Sequence, residues 1–202
     1  PHTVEIVAPK IDKSFDILVS VPVQDMGALD QDDGDRVAAD QVGGRRASVW
    51  PHVEARVVEL VKQHRSTIVF ANSRRLAERL TAAMNELYAE QLTGVAPPAF
   101  PAQMVGGSGL TAKPAAVLDE APVLARAHHG SVSKEQRAQI EDDLKSGRLR
   151  CVVATSSLEL GIDMGAVDLV IQVESPPSVA SGLQRVGRAG HQVGEISKGV
   201  LF

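Results

Sequence analysis

The chain has 202 residues, 44% hydrophobic and 23% charged, a balance that suits one globular domain with long loops. A single cysteine, Cys151, excludes a disulfide framework and points to a reducing, cytoplasmic compartment; no apolar run reaches membrane-spanning length, and no signal-peptide pattern opens the chain. The net charge of −4 excludes a uniformly basic nucleic-acid binder, so any strand contact must be local.

Residues 15–23 alternate and are rich in β-branched side chains, which predicts a first strand. Residues 24–47 follow, rich in Asp, Gly and Gln and without apolar periodicity. They hold six acids and one base within residues 24–40, leaving 19 acids against 20 bases elsewhere. This stretch is expected to be a flexible insertion. Pro51 opens a predicted helix to about His64, with Val53, Val57, Leu60 and Val61 on one face. Thr67–Ala71 predicts a short buried strand, and Arg74–Leu92 a helix with Leu76, Leu80, Ala83, Met84 and Leu87 at helical spacing. Residues 93–122, rich in Pro, Gly and Ala, predict a second flexible insertion. Val123–Ala127 is a predicted strand. Ser133 caps a helix to about Ser146, with Gly147 at its end. Arg150–Ala154 and Val167–Val173 are predicted strands around a short helix, Ser178–Ala189 a helix, and Gly199–Phe202 the start of a last strand. Short apolar strands alternating with amphipathic helices imply an α/β fold: a mostly parallel sheet with helices on both faces. Ligands of such sheets bind beyond the carboxyl ends of the strands.

Polar motifs stand at those ends. In Gln184-Arg185-Val186-Gly187-Arg188-Ala189-Gly190-His191, a continuous helix places Gln184, Arg188 and His191 at i, i+4 and i+7, on one face. The two glycines weaken the helix and suggest close approach by a ligand or another backbone. A fixed guanidinium there suits charge on a transferring phosphate; the same residues also read as a solvated basic helix end. After the strand ending at Ala154, Thr155, Ser156 and Ser157 are placed to cap a short helix, whose free N–H groups attract phosphate. Asp163, in the Gly161 loop, is placed to accept hydrogen bonds from ribose hydroxyls, or to serve as an ordinary turn former. Thr67–Arg74 is a third strand ending in polar residues that open a helix. His128-His129-Gly130-Ser131 is a fourth; its vicinal histidines have no third ligand at metal spacing, so no metal site is expected.

In this order the four pieces resemble the second RecA-like domain of superfamily 2 helicases. Thr67–Arg74 is similar to motif IV, His129-Gly130 to the block after it, Thr155–Asp163 to motif V and Gln184–His191 to motif VI. The wording of the last two, together with Ser48-Val49-Trp50-Pro51, is most similar to the large helicase-related (Lhr) group. Members of that group are bacterial and archaeal DNA-dependent ATPases that move 3′-to-5′ on single strands. The resemblance implies a RecA-like domain over residues 1–202, with its core at about 50–202, related to P-loop NTPases but lacking the P-loop. It implies that Arg188 is an arginine finger reaching the ATP γ-phosphate, with Gly161, Asp163, Gln184 and His191 also at the nucleotide. It implies that Asn72, Ser73, Gly130, Thr155 and Ser156 contact the backbone of single-stranded DNA or a DNA/RNA hybrid, positioning the strand without reading its sequence. His191 stands where many superfamily 2 members have a second arginine, a departure that fits the Lhr-like pattern.

No G-x-x-x-x-G-K-[ST] occurs in the chain. Gly106-Gly107-Ser108-Gly109 lacks the Lys-Ser/Thr ending. Asp119-Glu120-Ala121 runs into Pro122 and follows a poor strand, so it is rejected as a Mg²⁺-binding carboxylate pair. ATP, with its Mg²⁺, would be held mainly by a first RecA-like domain of the same polypeptide, and this chain alone would be inactive. Two further readings stay open: a non-catalytic RecA-like module binding nucleic acid or protein, and a fragment of an RNA-acting superfamily 2 helicase.

Overall fold

The computed structural model describes residues 13–23, 48–94, 123–159, 165–190 and 194–202. The insertions expected near 24–47 and 93–122 lie outside these residues, save Thr93 and Gly94, which close a helix. In chain order the elements are β1 (Phe15–Val19), α1 (Trp50–Gln63), β2 (Thr67–Phe70), α2 (Arg74–Thr93), β3 (Ala125–His128), α3 (Lys134–Lys145), β4 (Cys151–Ala154), a 3₁₀ turn (Ser156–Leu158), β5 (Leu169–Gln172), α4 (Val179–Val186) and β6 (Ser197–Leu201). The six strands form one sheet in the order β1-β6-β5-β2-β4-β3. Every pairing is parallel, as alternation of strands with helices demands.

Period-two alternation in the central strands sorts the core into two layers. Val69, Cys151, Val153, Leu169 and Ile171 face α1 and α2, against Val57, Val61, Leu80 and Met84. Ile68, Phe70, Val152, Ala154 and Val170 face the other way, against Ile140 and Leu144 of α3 and Val186 of α4. All residues of β2, β4 and β5 are buried, so these three strands carry the centre. Each fully buried Val, Leu or Ile contributes about 1.5–3 kcal/mol over an exposed one. Strand β1 is exposed along its whole length, as an edge strand covered by no described helix.

Most expected boundaries shift by one or more residues, and at four elements the hydrogen bonds that set the ends are clear. β1 ends at Val19 rather than Val23 because its partner ends at Leu201, whose carbonyl takes the last bond from Ser20 N–H. β3 starts at Ala125 because the N–H groups of Leu124 and Ala125 both donate to Asn85 Oδ1 of α2. α2 begins on Ser73, whose hydroxyl accepts from Leu76 N–H at 3.1 Å, and ends on left-handed Gly94. α4 ends at Val186, not Ala189. Arg188 and Ala189 donate back to Arg185 and Val186 in tightened turns, and Gly190 reverses the chain at φ 61°.

Candidate site at the carboxyl edge of the sheet

Phe70, His128, Ala154 and Gln172 stand in register at the carboxyl ends of β2, β3, β4 and β5. The residues after them therefore share one edge. Asn72 and Ser73 are exposed there, as is Gly130; Thr155 is half-buried and Ser156 exposed. Ser73 caps α2, and Arg74 Nη1 donates to Ser131 Oγ at 2.6 Å, tying the start of that helix to the Gly130 turn. A Cβ on Gly130 would meet nothing within 4 Å, so the local fold leaves that backbone open to close approach.

The hydroxyl run after β4 does not cap a helix as expected. Ser156–Leu158 is a single 3₁₀ turn, and Thr155 at its head makes no side-chain cap bond. Ser157 instead turns toward His128, its Oγ lying 2.9 Å from Nδ1 and 2.9 Å from the histidine's own carbonyl. The far ring nitrogen, Nε2, is 3.0 Å from Glu141. Burial holds the His128 pKa below its ordinary value, against the opposing pull of Glu141. A neutral ring donates from Nε2 to Glu141, and the single Ser157 hydroxyl proton goes to the His128 carbonyl or to Nδ1, not to both. His129 pairs separately, its Nε2 2.6 Å from Glu78. The vicinal histidines thus brace β3 against α3 and α2 respectively.

A buried polar cluster lies beneath this edge and centres on Arg185, which sequence reasoning did not single out. Arg185 is 2% exposed. Its Nε donates to Glu159 Oε1 at 2.6 Å, and Nη2 pairs with the same oxygen. Its Nη1 donates to Asn72 Oδ1 at 3.1 Å and to Gln172 Oε1 at 2.8 Å. The guanidinium also lies 5.2 Å from the centre of the Phe70 ring. Ser181 adds a bond to Glu159 at 3.2 Å. Asn72, exposed and expected to contact a strand, has its amide engaged within the chain: Oδ1 takes Arg185, and Nδ2 donates to the Ser175 carbonyl at 2.7 Å. Two signals could have found the cluster. Arg185 stands beside Val186 and four residues before Ala189, on the buried face of α4. Gln172 is a lone polar residue ending the apolar run Leu169–Gln172.

Of the expected nucleotide residues, Gln184 and Arg188 are described; Gly161, Asp163 and His191 lie outside the described residues. Gln184 and Arg188 do not share a helix face, because α4 ends between them. Gln184 is exposed on the last turn. Arg188 is half-buried in the following turn, its Nη2 donating to the Glu159 carbonyl at 2.5 Å. Gly190 answers to another backbone: a Cβ there would come within 2.6 Å of the Ile196 carbonyl oxygen. Lys13 reaches the same turn, donating to the Gly187 carbonyl at 2.6 Å.

A parallel sheet with this strand order, and with motif residues lined up at its carboxyl edge, has a match among known families. The family described as the helicase conserved C-terminal domain matches residues 109–192. The chain is the C-terminal, second RecA-like motor domain of the superfamily 2 type. Two curated relatives narrow this. The Lhr helicase/probable uracil glycosylase of Mycolicibacterium smegmatis is 63% identical over 203 residues, covering 98% of this chain and 12% of that protein. The Lhr helicase/uracil glycosylase of Escherichia coli is 55% identical over 204 residues, covering 98% and 13%. Among solved structures, Mycobacterium smegmatis helicase Lhr bound to ssDNA and AMP-PNP matches with a TM-score of 0.72 and 60% identity, over 98% of this chain and 20% of that one. Over nearly its whole length the chain is like the Lhr helicases, and it spans about an eighth of the length of these curated relatives.

Proposed function

We propose that this domain is one half of an ATP-driven motor that moves along single-stranded DNA or a DNA/RNA hybrid, working in the cytoplasm with a first RecA-like domain of the same polypeptide. The observation that carries the reading is the shared carboxyl edge. Ser73, Gly130, Thr155 and Ser156 line it, and Arg188 is tied to the same turn through the Glu159 carbonyl. A relative solved with ssDNA and AMP-PNP supports the choice of ligands.

In this reading the edge residues hold phosphates of the strand through hydroxyl and backbone groups, which positions it without reading bases. Asn72 shapes that edge as well, through its internal bonds. Arg188 reaches across the cleft to the γ-phosphate when the two domains close, and Gln184, Gly161, Asp163 and His191 complete the near side of the nucleotide site. A planar guanidinium suits this task because it spreads its donors over several phosphate oxygens. The Mg²⁺ ligands are assigned to the first domain because this chain carries no G-x-x-x-x-G-K-[ST] sequence. ATP bound between the domains supplies the energy; this domain supplies the closing contact and one grip on the strand.

The test is turnover in a whole-length Lhr-type protein carrying this domain. Arg188→Ala should lower strand-stimulated ATP hydrolysis by about a thousandfold, the lower end of arginine-finger effects. Arg188→Lys should fail to rescue, while both variants melt near wild type. Near-normal turnover in both would end the arginine-finger assignment and favour a binding module.

A further inference from the structure

We infer that Arg185 is a positioning residue that makes the strand-gripping edge and the Arg188 turn move as one body, an inference that rests on the motor reading above. The buried guanidinium takes four partners from three separate segments: Phe70 and Asn72 at and just after the end of β2, Gln172 at the end of β5, and Glu159 after the 3₁₀ turn. Each partner lies within three residues of a group proposed to touch a ligand or a loop that shapes the edge. Asn72 precedes Ser73. Glu159 follows Thr155 and Ser156 by one turn. Gln172 Nε2 donates to the carbonyls of Val173 and Glu174, holding the loop to which Asn72 is also bonded. Glu159 is the shared joint. Its carboxylate is held by Arg185, and its carbonyl receives Arg188.

The chemistry requires arginine at this point. One planar group satisfies a carboxylate, two amide oxygens and an aromatic face from a single buried position. A lysine is a point charge and reaches one or two of these at a time. Removing the guanidinium leaves the Glu159 carboxylate with Ser181, which loosens the residue on whose carbonyl Arg188 rests. It also leaves Asn72 tied only through its Nδ2, which loosens the first turn of the edge. A displacement of about 1 Å in such supporting groups costs up to about a hundredfold in rate.

The experiment uses the whole-length protein with Arg185→Lys, Glu159→Gln and, as the mildest change, Gln172→Ala. Strand-stimulated ATP hydrolysis gives kcat and the KM for ATP. Fluorescence anisotropy of a labelled single-stranded DNA oligonucleotide gives strand affinity, and thermal melting gives the working range. Below their melting range, Arg185→Lys and Glu159→Gln should lose about tenfold to a hundredfold in kcat with the KM for ATP little changed. Both should also bind the oligonucleotide at least about fivefold more weakly, because both ends of the linkage loosen together. Gln172→Ala should show the same joint pattern, smaller, and it carries the test if the charge variants fail to fold. Lower melting temperatures with kcat and strand affinity within about twofold of wild type would reduce Arg185 to a stabiliser of the fold and overturn the inference. A loss confined to kcat or to strand affinity would overturn it as well. A wild-type protein whose ATP turnover ignores both the strand and Arg188→Ala would instead overturn the motor reading itself.

Discussion

His128 is fully buried and held between a hydroxyl and a carboxylate, so its protonation is linked to folding. Burial is the largest influence and lowers its pKa; the Glu141 hydrogen bond and charge oppose this, and Arg137 adds to the lowering. The folded value therefore lies below the ordinary 6.5, so between the two values the unfolded chain binds the extra proton. His128 contributes full stability above that ordinary value and loses it as pH falls toward the folded one. Melting temperature should drop as pH falls below the ordinary value of 6.5, and His128→Gln should flatten part of that slope. An unchanged slope in the variant would show that other groups carry the acid response. The neighbouring site residues differ in how legible they were. Ser73, Gly130 and Thr155 follow apolar strands, so their place at the edge was readable from chain order. Arg185 was not, because a basic residue between Gln184 and Val186 reads as solvated until the buried face of α4 is known.

At the scale of elements, alternation of short apolar runs with amphipathic helices identified the six strands and four helices of the described residues, most clearly β2, β4 and β5, because a strand buried on both faces reads as one apolar run. Strand and helix ends were less legible, since side chains and carbonyls elsewhere in the chain decide them, as Asn85 does for β3. The motif VI helix shows the same limit. Its period continued past Val186 on paper, but Gly187 and Gly190 let the backbone turn, and the expected common face of Gln184 and Arg188 was lost. The packing of α4 on β6 yields a prediction at this scale. A Cβ at Gly199 would lie 2.8 Å from both γ-carbons of Val186. Gly199→Ala should cost about 1–3 kcal/mol in urea unfolding, the range for overpacking. Adding Val186→Ala should recover part of that loss. A neutral Gly199→Ala would mean that α4 sits farther from the sheet.

For the whole molecule, the absence of a G-x-x-x-x-G-K-[ST] sequence leads to a plain expectation: the purified chain alone should hydrolyse no ATP, with or without single-stranded DNA. Measurable strand-stimulated turnover would contradict the division of labour proposed between two domains. The order of the sheet has a separate consequence, for how the chain acquires its shape. β6, the last of the described strands, inserts between β5 and β1, and its register pairs residue 15 with residue 197. During synthesis β1 therefore has no described strand partner until almost the whole domain has left the ribosome. Closing so long a loop is entropically costly and slow, and until then an apolar strand edge stays open. The four strands from β2 to β5 can pair first, so β1 and β6 should be the last to gain protection in a pulse of hydrogen exchange during refolding.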